Sequence, residues 1–119
     1  MALDPNSELR EVSGIDAAQR TAITAFLQGA VYCWVKNRSG EEFAARDLVG
    51  GENGNWGGTP LQVLYDRHIA EGKEESAAEE AAARDLGWLL KSVLDKDKRR
   101  FAASNDGWVS KYQWTGDEA

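Results

Sequence analysis

Along the first third of the chain, Ile23, Phe26, Leu27, Ala30, Val31 and Trp34 recur at intervals of three and four. That is the period of one helical face. Asp16 followed by Gln19 is a capping-box signature, so a first helix is expected over 17–36, with Trp34 closing its apolar face. Tyr32, Cys33 and Val35 widen that face and make the helix central. Gly29 inside it costs about 1 kcal/mol relative to alanine, which predicts a close approach by another element. Ser39-Gly40-Glu41-Glu42 repeats the capping pattern and predicts a short helix over 40–49, stopped by Gly50 and Gly51. Thr59-Pro60-Leu61-Gln62 combines a cap, a proline at the first helical position and a glutamine three residues past the cap. It starts a third helix over 60–71, with Leu61, Leu64, Tyr65 and His68 inside and Gly72 at the end. Ser76-Ala77-Ala78-Glu79 starts a fourth helix over 77–95, with Ala82, Leu86, Leu89, Leu90, Val93 and Leu94 as its buried stripe. Trp88 lies off that stripe, nearer Arg84 and Ser92.

After Lys96-Asp97-Lys98-Arg99-Arg100 the period changes to two. Trp108, Ser110, Tyr112 and Trp114 alternate with Val109, Lys111 and Gln113, which is strand patterning. Strands are expected near 100–104 and 108–114, with Asn105-Asp106-Gly107 as the hairpin turn. The fold class is therefore mainly α with a C-terminal two-stranded β-hairpin, in one domain. It divides into an N-terminal arm (1–14) anchored by Leu3, Leu9 and Val12, a helical part (15–95), a hairpin (96–114) and a frayed tail (115–119).

Two short helices, a longer one and a two-stranded ribbon follow the element order of winged helix-turn-helix modules, over roughly residues 16–114. Asp85-Leu86-Gly87-Trp88-Leu89-Leu90, followed by Arg99, Arg100 and the aromatic ribbon, resembles small winged modules of phage and plasmid proteins. The resemblance implies a winged-helix-like fold and DNA binding, as for an accessory factor of a mobile element. It makes the third helix the recognition helix, with Gln62 and Arg67 turned to base edges. The wing would supply Arg99, Arg100 and Lys111 to phosphates and Trp108 for stacking. One departure is the glycine-rich turn before Thr59, longer than the three or four residues of a helix-turn-helix. Another is Asp66, which with Glu71 opposes phosphate.

Charge complicates that picture. The chain carries 14 Lys and Arg against 20 Asp and Glu, a net charge of −6, and phosphate backbones repel such a surface at long range. Only a local patch can offset this. From Lys96 to Trp114 five basic residues face two acidic ones, a surplus of three, which leaves −9 on the rest. The aromatic ribbon then has two readings: a stacking platform, or the inner face that covers the helices. If it is cover, the alternative function is a protein-interaction module that docks through Trp56, Trp88 or the acidic start of the fourth helix.

Catalytic chemistry finds little to work with. Cys33 and His68 are the only nucleophile and base of their kinds, and the pattern makes one a packed thiol and the other a core-edge imidazole. A single histidine and a single cysteine supply no metal-ligand spacing. The carboxylates from Glu71 to Asp85 crowd a helix start, where negative charge complements the dipole. The glycine-rich loop lacks the lysine of a phosphate cradle, and Pro60 removes a donor amide. No enzyme activity, cofactor or metal is expected. No apolar run nears the ~20 residues of a membrane span, no signal peptide precedes Asp4-Pro5, and the lone cysteine fits a reducing, cytoplasmic setting.

Overall fold

The computed structural model describes residues 8–51, 55–107 and 109–118. Four helices, α1 (Ala17–Asn37), α2 (Ala45–Leu48), α3 (Gln62–Ala70) and α4 (Glu75–Lys96), precede an antiparallel hairpin of β1 (Arg99–Asp106) and β2 (Val109–Glu118). Among the described residues no helix is long and apolar enough to cross a membrane.

α1 opens with the expected capping box: Gln19 N–H donates to the Asp16 carboxylate at 2.7 Å, and the Gln19 side chain accepts from Asp16 N–H at 2.9 Å. Its buried stripe is Ile23, Leu27, Val31 and Val35, strictly every fourth residue. Phe26 sits on the flank of so narrow a stripe and stays exposed, as do Tyr32 and Cys33, so Cys33 is not the packed thiol its neighbours indicated. Nothing comes within 4 Å of a Cβ built on Gly29, and the close approach expected there is absent. Gly29→Ala should therefore keep only the helix-propensity gain, raising stability by about 0.5–1 kcal/mol. A Tm unchanged or lowered in a thermal melt would contradict this.

The second helix starts later than the cap pattern indicated. Ser39-Gly40-Glu41-Glu42 caps nothing. Phe43 instead exchanges two backbone hydrogen bonds of 2.8 Å with Tyr112, an isolated bridge that sets a third strand segment beside β2. This satisfies both polar groups of a buried residue and places the Phe43 ring among Trp34, Phe101 and Tyr112. α2 begins after it, with the Asp47 carboxylate accepting from Ala44 N–H at 2.8 Å. Trp34 is half-buried rather than enclosed, and its indole N–H donates to Glu41 O.

Thr59 and Pro60 lie in a turn ahead of α3, whose N-cap position is Leu61. The helix closes through Gly72 (φ +95°): Gly72 N–H donates to Ile69 O, and Lys73 N–H to His68 O. This is a Schellman close, which needs a left-handed residue at that point. α4 then starts at Glu75, so Ser76 lies inside the helix and its capping box does not form. Ala78, Ala81, Ala82, Leu86, Leu89, Leu90, Val93 and Leu94 are buried against α1 and α3. The alanines keep the axes close while the leucines fill the centre.

In the hairpin, Phe101 pairs with Trp114, Ala103 with Tyr112 and Asn105 with Ser110, and an irregularity separates Arg99 from Phe101. Phe101 and Tyr112 are buried, and Ala103 and Trp114 pack against the same core, so the aromatic face of the ribbon covers the helices. Burial also pushes the Tyr112 hydroxyl up to about 12, with a small opposing contribution from Ser110. β1 continues through Asn105 and Asp106, and the chain reverses after them with Gly107 at φ +64°. Residues 115–118 of the expected tail are not frayed. β2 runs on to Glu118, and the Thr115 hydroxyl donates to Arg100 O. Of the arm's anchors, Val12 is buried, Leu9 is exposed and Leu3 lies outside the described residues.

Candidate functional site

Two of the residues expected to read DNA, Arg67 and Arg99, are engaged within the molecule. Arg67 is drawn inward: its side chain is 14% exposed, ion-paired to Asp85 of α4, and it donates to Ser13 O at 2.5 Å. Asp85 also accepts from His68 Nε2 at 2.8 Å. The Lys73 ammonium, 2.9 Å from His68 Nδ1, has only protons to offer. Arg67 and His68 thus tie the arm, α3, the Gly72 turn and α4 together. Gln62 donates to Asp66 at 2.8 Å, spanning one turn of α3.

Arg99 is likewise occupied. Asp97, whose side chain is 1% exposed, accepts from Arg99 N–H, Nε and Nη2 at 2.7–2.9 Å and from Gln28 Nε2 at 2.8 Å. The Arg99 guanidinium also lies 4.6 Å from the Tyr32 ring centre. Arg100 is exposed, and Lys111 sits opposite Ser104 on β2. Trp108 lies outside the described residues. Trp56 packs partly against the core and its carbonyl accepts from Thr59 N–H and Oγ1, so it anchors the glycine-rich loop.

α3 and α4 are joined by a four-residue turn, Glu71 to Glu74, that contains Gly72. α4 then leads into the hairpin and carries an exposed face. That face is polarised. Glu75, Glu79 and Glu80 are exposed over its first turns, just after exposed Glu74, whereas Arg84 and Lys91 follow further along.

Where α4 passes the hairpin, an open groove of about 400 Å³ separates it from β2 and α2. Ala44, Ala45, Ala83, Gly87 and Tyr112 give it an apolar floor, and Val109 and Ser110 form its hairpin wall. Arg46, Arg84 and Lys91 stand around it, and among the described residues no carboxylate lines it. Trp88 lines one side. Lys91 Nζ and Arg10 Cζ both lie 4.9 Å from its ring centre, close enough for cation–π attraction. A second hollow, of about 480 Å³, is also lined by Trp88, together with Leu9, Arg10, Glu11 and Lys96. Trp88 was legible as an off-stripe aromatic. The groove was not, because it depends on the Phe43 bridge drawing α2 and β2 together.

Cys33 and His68 stand in separate surroundings: the thiol is on the outer side of α1 near Lys36, Lys98 and Trp114, the imidazole in the Asp85 network. Among the described residues no group of three or more His, Cys, Asp and Glu is arranged to hold a metal ion. No protein-family model matches the chain, and neither a curated protein nor a solved structure matches it.

Proposed function

We propose that this chain is a winged-helix-like protein-interaction module whose binding surface is the groove between α4 and the hairpin. The carrying observation is the lining of that groove: an apolar floor beside Trp88, with basic side chains and, among the described residues, no carboxylate around it. Apolar floors with a polar or charged rim are the anatomy of protein interfaces, and Trp and Arg are their commonest anchors. The winged-helix-like part rests on element order: a helix, the Phe43 strand segment, the α3–turn–α4 pair, then the hairpin.

Polypeptide is favoured over duplex DNA by the charge along α4. A phosphate backbone following this helix would meet Glu75, Glu79 and Glu80 before reaching Arg84, and like charges across an interface oppose binding. A second reading keeps DNA as the target, through exposed Lys96, Lys98 and Arg100 at the base of the hairpin. So small a patch predicts weak, salt-sensitive binding.

Site-specific photo-crosslinking separates the two readings. A photoreactive residue at Ser110, in the groove wall, should give protein adducts in cells, while one at Ala25 on the exposed side of α1 should give none. Equal adducts from both positions would remove the groove from consideration. Nucleic-acid adducts from Ser110 would put the DNA reading first.

A further inference from the structure

We infer that the groove takes an acidic segment of a partner protein, with one apolar side chain seated over Gly87 beside Trp88 and flanking carboxylates on Arg84 and Lys91. This rests on the interaction reading and specifies its partner. The first support is charge complementarity. Acidic residues outnumber basic ones 20 to 14 in the chain, yet among the described residues none lines this groove. A site from which the commoner charge is missing presents a positive field, which selects anionic partners and repels cationic ones.

Gly87 is the second support. It sits in the interior of α4, where glycine costs about 1 kcal/mol relative to alanine, and nothing comes within 4 Å of a Cβ built there. No packing contact inside the molecule calls for a glycine, and what its bare backbone provides is depth in the groove floor. Gly29 of α1 also has open space, but it lies on an exposed helix face and lines none of the hollows described above. The third support is Trp88. Two cations already flank its ring, so a carboxylate arriving at Lys91 would join a prearranged ammonium–indole pair without first ordering a flexible side chain.

A random dodecapeptide library displayed on phage tests this, panned on the whole chain with Gly87→Leu as the counter-target. Leucine fills the floor and is a better helix former, so the variant should melt no lower than wild type while losing the groove. The expected result is enrichment of peptides with one apolar residue between Asp or Glu residues. Their affinity should fall about tenfold in the Arg84→Glu, Lys91→Glu double variant and fall again as salt screens the pairs. Backbone amide shifts on binding should cluster at Ala83, Gly87 and Ser110. If the peptides require an open groove but are neutral or basic, the acidic class is wrong and the interaction reading stands. If no peptide depends on the groove, both fall.

Discussion

Phe43→Ala should destabilise the chain by about 3–5 kcal/mol, the range for removing a fully buried phenylalanine. Phe43 is 1% exposed, with its ring centre 5.7 Å from that of Trp34, 6.0 Å from Tyr112 and 6.1 Å from Phe101. These rings come from α1, β1 and β2, so a cavity at Phe43 faces three elements that cannot all collapse into it. Tilted and edge-on aromatic pairs add about 0.5–1.5 kcal/mol beyond area burial. The loss is a large part of a typical ~5–15 kcal/mol total. Neither strand lies closely along a helix, so the hairpin is held by its inward rings and by the Phe43 bridge. Urea unfolding monitored by circular dichroism should give the loss, and hydrogen exchange at Tyr112 N–H should accelerate more than at Leu90. A loss below 1 kcal/mol, or uniform acceleration, would show that the hairpin does not depend on this bridge.

That bridge also marks where sequence reading stopped. The helices and the hairpin follow from local signals, because the three-and-four period and the switch to a period of two are written into neighbouring residues, although of the expected N-cap residues only Asp16 takes its place. Asp16, Gln19 and the stripe of α4 behave as their spacing indicates. Phe43 does not. Its partner, Tyr112, is 69 positions away, and the competing capping signature at Ser39 to Glu42 is local and visible. The long-range bridge wins because it satisfies two backbone groups and buries a large ring at once.

The same limit governs the binding residues. Arg67 and Arg99 have the chemistry to contact phosphate, but each has an intramolecular carboxylate partner, and Asp85 lies 18 positions from Arg67. A helical wheel places Arg67 outside only if α3 has no neighbour on that side. α4 is that neighbour, and the close turn through Gly72 brings it there. Trp88 was visible because it breaks a local stripe, whereas the empty space beside it belongs to no single segment.

Asp97→Ala should cost about 3–5 kcal/mol, because it leaves a mostly buried guanidinium without its counter-charge. Asp97 is where α4 ends and β1 begins. Its carboxylate holds the Arg99 side chain, the Arg99 N–H and the Gln28 side chain of α1, so three elements meet on one charged group. Burial by itself would raise the Asp97 pKa. The bonds from the Arg99 side chain, then from its backbone and from Gln28, outweigh burial and hold the pKa below 3.8. A folded-state pKa below the unfolded one contributes stability that is present above about pH 4 and is lost as pH falls through the lower, folded value. Wild-type stability should therefore fall on acidification below pH 4 by more than that of Asp97→Asn, which keeps the shape but does not titrate. Double-mutant analysis with Arg99→Ala isolates the pair from lost packing. If Asp97→Ala and Arg99→Ala are additive, and the Asp97→Asn acid profile parallels wild type, then the carboxylate is only a helix terminator and the junction is held by the core beneath it.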